Sequence, residues 1–310
     1  MNASHVVTGA GPVGRTVALQ LAAAGHDVLV LTRSGSGPDH PAIQRRAVDV
    51  RDDVALQGAL AGAQAVFHCT HAAYTAKAWR DVLPATEQSV LRAAGDAVVV
   101  FPESLYSYAH PQSPMTEEGP RTAAGGKRGV RTALLAARER SATATVSVVA
   151  SDLFGPHVRT AHAGERMVPR ILSGRRVSVL GSLDQPHSFT YMPDYARAMV
   201  TAAHRPEVWG QVLHAPTGPA LTQRAMIHAI AAAAGTRASV GTIPSWVVQA
   251  GSVVPGGLRE LAEMLYQFTA PFVMDSSRTQ ALLGLSPTPL DEAVAATVAW
   301  WRGAEAVTTG

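Results

Sequence analysis

Three glycines near the start of the chain are spaced for one task. In Gly9-Ala10-Gly11-Pro12-Val13-Gly14 they follow a short β-rich run, His5-Val6-Val7-Thr8. They open a stretch of apolar and small residues, Gly14 to Ala24, that reads as a helix packed on a sheet. Gly9 allows a tight turn, Gly11 lets the backbone approach a bound group, and Gly14 lets helix and strand pack closely. Pro12 and Val13 complete the turn where free helical N–H groups and a partial positive charge attract phosphate. The spacing predicts a nicotinamide dinucleotide whose diphosphate lies over the first helix. A tight turn in an unrelated α/β domain is the alternative reading.

The nucleotide's identity is read at the next strand. Asp27 to Leu31 is a buried strand, and it ends in Leu31-Thr32-Arg33-Ser34. An acid there would hold the ribose 2′-hydroxyl of NAD. Arg33, with Ser34, suits a 2′-phosphate through charge-assisted hydrogen bonds, so NADP(H) is favoured over NAD(H). Arg33 as a plain exposed loop residue is the competing reading.

Other chemistry-bearing groups are sparse. Only Lys77 and Lys127 among the 26 basic residues are lysines. An ammonium moves protons where a guanidinium cannot, which marks Lys127 for attention. His68-Cys69-Thr70-His71 suggests metal ligation, but alternate strand residues face opposite ways. At a strand end this segment lines the cofactor cleft, with Thr70 a contact, and no metal is expected. Ser34-Gly35-Ser36-Gly37 lacks the first glycine of a serine-hydrolase elbow. Trp246, Trp300 and Trp301 are expected to pack rather than form a binding cage.

The elements that must position these groups alternate. Strands are predicted at Ala47–Val50, Ala65–Cys69, Ala97–Phe101 and Thr145–Ala150, with helices at Asp53–Leu60, Ala78–Ala94 and from Gly126 to about Arg140. A long loop spans Pro102 to Gly126. Such alternation gives parallel βαβ units: an α/β fold, a Rossmann doubly wound parallel sheet with a smaller C-terminal substrate-binding lobe. Residues 1–155 form the NAD(P)-binding Rossmann domain. Residues 156–310 form mainly the substrate-binding lobe, with segments returning to the main sheet. Helices are expected around Glu165–Leu172, Asp194–His204, Thr222–Ala234 and Leu290–Trp301, with a short strand at Gln211–Ala215.

Bulk properties narrow the class. At 310 residues, 47% hydrophobic and 16% charged, the chain can bury a large core. A single cysteine, Cys69, excludes an internal disulfide framework and suits a cytoplasmic protein. No secretory signal or membrane-length apolar run is seen. The net charge of +3 is scattered, so nucleic acid is not an expected partner. Basic residues concentrate between Arg121 and Arg140, either as a solvated face or as an anion-attracting rim.

Together these segments resemble the short-chain dehydrogenase/reductase superfamily, in its NAD-dependent epimerase/dehydratase-like branch. Thr8 to Gly14 resembles the family's glycine turn, one residue shorter. Asp49-Val50 resembles the acidic dipeptide after the third strand, which implies contact with adenine. Ser104-Leu105-Tyr106-Ser107-Tyr108 resembles the SxxxY segment, whose serine binds the substrate oxygen. Ser151 to Pro156 resembles the stretch near the nicotinamide, and Phe189 to Ala196 a later family segment.

The departure is as informative. The family's dehydrogenases use Tyr-x-x-x-Lys, two side chains on one helix face. This chain has none. One register places Ala123 and Lys127 at those positions; the other places Lys127 and Arg131 there, as in atypical members. Both keep Lys127 in the site, contacting cofactor. Ser104, Lys127 and Arg131 are then the catalytic candidates, with Tyr106 a further one and Tyr191 a remoter one; Tyr108 is expected to be structural. The resemblance implies an NAD(P)(H)-dependent oxidoreductase acting on a small carbonyl or imine compound, as monomer or homodimer. Alternatives are a redox-neutral cyclase or isomerase on the same fold and a non-catalytic NADP-binding regulator.

Overall fold

The computed structural model describes residues 4–251 and 257–308. Its first half runs β1 (His5–Thr8), α1 (Pro12–Ala23), β2 (Val28–Thr32), β3 (Ile43–Ala47), α2 (Asp53–Leu60), β4 (Ala65–His68), α3 (Ala76–Ala93), β5 (Val98–Ser104), α4 (Gly126–Glu139) and β6 (Thr145–Ala150). The second adds β7 (Asp152–Phe154), α5 (Val168–Leu172), β8 (Val177–Leu180), β9 (Phe189–Tyr191), α6 (Met192–Ala203), β10 (Val212–His214), α7 (Gln223–Ala234) and β11 (Val240–Ile243). Helices α8 (Ser245–Gly251), α9 (Gly257–Glu263), α10 (Tyr266–Thr269), α11 (Ser277–Leu283) and α12 (Leu290–Thr308) follow.

Seven strands form one parallel sheet in the order β10-β6-β5-β4-β1-β2-β3. The direction of winding reverses between β1 and β4, where open parallel sheets bind their ligands. Side-chain alternation explains why the strands read as unbroken apolar runs. Val7, Val30, Phe67 and Val100 point to a cluster under α1 and α6. Val6, Leu29, Val66 and Val99 point to the opposite cluster under α2 and α3. Both faces are covered, so both alternating sets must be apolar.

The smaller lobe packs α5, α7 and α12 with the β8–β11 pair around Met167, Ile171, Ile227 and Trp301. β10 and α6, from the second half of the sequence, belong to the main sheet and its helical cover. Thr222 caps α7 by accepting from Ala225 N–H at 3.0 Å, and Gly235 ends it in the left-handed conformation.

Several expectations shift. The third strand is Ile43–Ala47, not Ala47–Val50. It is an edge strand, so Gln44, Arg45 and Arg46 stand exposed, while Val48 and Val50 are buried from the loop beyond it. The basic stretch 121–140 is only in part solvated: Arg140 is exposed and Arg121 and Arg128 are half-buried. Its Lys127, Arg131 and Arg138 are buried against carboxylates. Trp301 packs as expected, but Trp246 is 69% exposed.

His68 is buried at the end of β4. Burial first, then the charges of Arg138 and His71, push it down to about 3. Protonation therefore favours the unfolded chain. Its contribution to stability is complete above about pH 6.5 and is lost as pH falls toward 3, at about 1.4 kcal/mol per pH unit. Urea midpoints measured across that range should fall less steeply in His68→Phe.

Candidate active site

The turn between β1 and α1 is built tightly on one side and left open on the other. Gly9 has φ +88°, and a side chain there would meet Cys69 O and Thr70 N, each at 2.9 Å. A Cβ on Gly14 would drive into the Gly9 carbonyl. A Cβ on Gly11 would meet nothing within 4 Å. Gly11 is the N-cap of α1, no side chain caps the helix, and its first turn, with Pro12 and Val13, carries no acid. Its orphan N–H groups are therefore free for an anion, and the residues fit a dinucleotide diphosphate.

On one side of this cradle lies the nucleotide end. Arg33 and Ser34 follow β2 in an exposed turn; Ser34 Oγ donates to Ser36 Oγ at 2.9 Å. Asp49 follows β3. It takes a two-pronged hydrogen bond from Arg51, at 3.1 and 2.7 Å. That bond, with the Arg51 N–H and the nearby charge of Arg33, holds its carboxyl down to about 2. Val50 is buried beneath. Thr70 closes the other side, donating to Thr8 Oγ1 at 3.2 Å. Thr8 Oγ1 also bonds His68 Nδ1 at 2.8 Å. Burial pushes the Cys69 thiol up to about 12, which makes it a poor nucleophile. His71 Nε2 is instead 2.8 Å from Arg131, so His68 and His71 do not converge.

The catalytic candidates cluster where β5 ends and α4 begins. α4 starts at Gly126, so Lys127 and Arg131 lie one turn apart on its buried face. Ala123 precedes the helix, which leaves Lys127–Arg131 as the pair sharing a face. Glu103 ties this pair to the strand: its Oε1 accepts from Ser104 N–H at 2.8 Å and faces Arg131 Nε at 3.3 Å. Its Oε2 accepts from Arg138 at 2.9 Å. Arg138 in turn grips both oxygens of Glu87. Arg131 also lies 4.6 Å over Trp79. Tyr106, in the short 3-10 turn after β5, shares a hydrogen bond of 3.0 Å with Tyr74. Burial pushes its hydroxyl far above the ordinary phenol range. Tyr108 is buried and bonds His214 Nε2 at 2.5 Å. Tyr191 packs in the core of the smaller lobe.

Lys127 is fully buried. Its ammonium donates to Glu260 at 2.5 Å and Glu263 at 2.6 Å, both from α9, and sits 4.9 Å over the Tyr74 ring. Glu260 also accepts from Ala76 N–H at the start of α3. A clamp from α9 thus covers the head of α4.

A histidine–aspartate pair adds to the cluster. His187 Nε2 lies 2.9 Å from Asp152 Oδ2, and its Nδ1 lies 3.1 Å from Gln267 O. Both partners are oxygen acceptors. Burial pushes the Asp152 carboxyl up, but the His187 bond and the neighbouring imidazoles outweigh it and hold it low. Sequence reasoning missed His187, Glu103, Trp79, Tyr74, Glu260 and Glu263. Only the Glu260–Glu263 spacing, two acids on one helix face, was visible as a signal.

A parallel sheet wound in this order, with an uncapped helix start at its switch point, defines a dinucleotide-binding protein of the Rossmann class. The chain belongs to the NAD dependent epimerase/dehydratase family, whose sequence profile matches residues 5–212. Its cofactor class is therefore a nicotinamide dinucleotide. A search of curated protein sequences finds no match. Among solved structures, the chain is similar to an epimerase from Methanothermobacter thermautotrophicus, with 18% identity, 99% of this chain and 94% of that one covered, and a TM-score of 0.79. It is similar to UDP-glucose 4-epimerase with UDP-glucose from Thermotoga maritima, at 16% identity, 97% and 99% coverage and a TM-score of 0.76. It is also similar to the Bordetella bronchiseptica enzyme WbmH in complex with NAD+, at 19% identity, 97% and 98% coverage and a TM-score of 0.74. At these identities the likeness is one of fold. Among the described residues, no helix is long and apolar enough to cross a membrane.

Proposed function

We propose that the chain is an NADP(H)-preferring enzyme of this family that acts on a small carbonyl or imine compound. The observations that support the reading are the Ser104–Glu103–Arg131 chain of contacts at the end of β5 and the open glycine turn after β1 in the same sheet. When bound, the dinucleotide supplies hydride to the carbonyl carbon or accepts it back. Ser104 holds the substrate oxygen by hydrogen bond. Arg131, fixed by Glu103 and His71, supplies a permanent positive charge at the cofactor side. Lys127 gives its proton to the oxygen once Glu260 and Glu263 swing aside. Tyr106, paired with Tyr74, lines the substrate side.

The test is binding of NADPH and NADH by fluorescence, then loss of reduced-nicotinamide absorbance with ketones, aldehydes, imines and nucleotide sugars. Lys127→Met should lower turnover by on the order of 100-fold or more. Full activity in that variant removes Lys127 from the mechanism. Arg33→Ala should weaken NADPH binding by roughly 10-fold or more and leave NADH unaffected, because only the 2′-phosphate loses a charge-assisted bond. Equal loss for both nucleotides would refute the assigned preference.

A second reading is a redox-neutral reaction on a nucleotide sugar, the class to which UDP-glucose belongs; what supports it is the likeness of the fold to an epimerase structure that holds UDP-glucose. Tight dinucleotide binding without net cofactor turnover, alongside sugar isomerisation seen by NMR, would favour it.

A further inference from the structure

Where β1 begins, at the end of the strands opposite the dinucleotide crevice, three histidines from distant parts of the chain converge. His5 opens β1, His26 follows the Gly25 turn after α1, and His204 ends α6. One ring nitrogen from each lies within 4.8 Å of the other two. His5 Nε2 and His204 Nε2 are 2.9 Å apart. The His26 and His204 rings are nearly parallel, at 15° and 5.3 Å, and the His5 and His26 centroids are 4.4 Å apart.

Hydrogen bonds fix what these rings present. His204 Nδ1 lies 2.8 Å from Val200 O, a carbonyl that can only accept. Nδ1 therefore carries the hydrogen, and in the neutral ring Nε2 offers its lone pair toward His5. His5 Nε2–H fills that lone pair, and His5 Nδ1 meets Ser4 Oγ at 2.8 Å. A serine hydroxyl both donates and accepts. Moving the His5 proton to Nδ1 reverses the Ser4 bond without losing it and frees Nε2. Two of the three imidazoles thus already have the outer partner that orients a metal-ligating histidine.

We propose that His5, His26 and His204 bind one divalent transition-metal ion of the zinc type, with water completing a tetrahedron. Imidazole nitrogens at zinc bond lengths sit about 3.3 Å apart in that geometry. The His5–His204 pair need open by only a few tenths of an ångström, and the half-buried His26 ring must close in. Three imidazoles without a carboxylate select zinc, copper or nickel over magnesium or calcium. His5 is buried while His204 is exposed, so the ion enters from solvent and rests against the sheet. It would tie β1, the α1–β2 turn and α6 together, adding to the His5 N–H to Asp27 O hydrogen bond and the packing of α1 on α6. The four residues from His5 to Gly9 put the ion roughly 13 Å from the cradle, so its role is to hold structure and not to assist hydride transfer.

The test uses the untagged full chain, stripped of metal. Calorimetry with zinc chloride should give one equivalent, and cobalt chloride should give the visible absorption of a tetrahedral nitrogen site. Zinc should raise the melting temperature. His26→Gln and His204→Gln should each weaken zinc binding at least 10-fold and abolish the zinc-induced shift, read against the metal-free melting temperature of the same variant. NADPH affinity should be the same with and without zinc. Zinc binding undiminished in the double variant would overturn the proposal, as would the absence of a one-equivalent site. Displacement of zinc by NADPH would do so too, because it would put the ion in the crevice.

Discussion

Replacing Gly11 by aspartate should abolish dinucleotide binding while leaving the fold intact. Gly11 has φ −66° and ψ −176°, extended backbone that any residue adopts. A side chain there meets nothing within 4 Å. Aspartate is moreover a favoured N-cap, and α1 has no side-chain cap, so stability should hold or rise by a few tenths of a kcal/mol. Binding moves the other way. The new carboxylate takes the N–H groups that the diphosphate needs and repels its charge. A loss of about 3 kcal/mol or more corresponds to at least 100-fold in affinity. Fluorescence titration with NADPH and a thermal melt on the same sample check both halves. Retained affinity would mean that the diphosphate does not lie over α1. Gly14→Ala is a poorer test, since its side chain collides with the Gly9 carbonyl and disturbs the turn itself.

Arg138→Met should cost about 3–5 kcal/mol of stability. The Arg138 guanidinium is buried, donates to both oxygens of Glu87, to Glu103 Oε2 and to Ser147 Oγ, and lies 4.1 Å over Phe101. Burial alone would lower its basicity, but Glu87 and Glu103 raise it well above the ordinary range. Removing the cation strands the buried Glu87 carboxylate and leaves Glu103 with Arg131 alone, which is far costlier than losing an exposed ion pair. Arg138→Lys keeps the charge and loses the fork, so its cost should be clearly smaller. Urea denaturation midpoints measure both. Glu103 also positions Ser104 and Arg131, so the methionine variant should lose turnover by more than its residual folded fraction explains. A loss under about 1 kcal/mol would contradict the account of a fully desolvated network.

The two effects rest on different kinds of information. The Gly11 cradle was legible in the chain because its parts are consecutive: strand, three glycines, helix. Backbone geometry at each of those positions is a local matter, and so are the caps at Thr222 and Gly235. The strand–helix rhythm up to residue 150 was legible for a related reason. A parallel sheet covered on both faces demands apolar runs of strand length. The third strand was misplaced because an edge strand escapes that demand and carries Gln44, Arg45 and Arg46, while the more apolar Val48-Asp49-Val50 beside it is loop.

The catalytic candidates were found only by type. Ser104, Tyr106, Lys127 and Arg131 were named from a resemblance, and their partners were not. Glu103 lies inside an apolar strand, Glu87 on a different helix, and Glu260 and Glu263 stand 133 and 136 residues beyond Lys127. Charge pairing over such separations leaves no periodicity to read. For the same reason the basic stretch 121–140 suggested a surface, although three of its cations are buried.

By itself, then, the sequence determined the α/β winding, the glycine turn and the absence of a Tyr-x-x-x-Lys pair, because each depends on neighbours in the chain. The tertiary structure decided that Lys127 is clamped by α9, that Glu103 joins Ser104 to Arg131, that His187 meets Asp152, and that His5, His26 and His204 gather where β1 begins. Those outcomes depend on which elements the sheet brings together. Coulomb attraction and ligand geometry act across a few ångströms of space and take no account of distance along the chain.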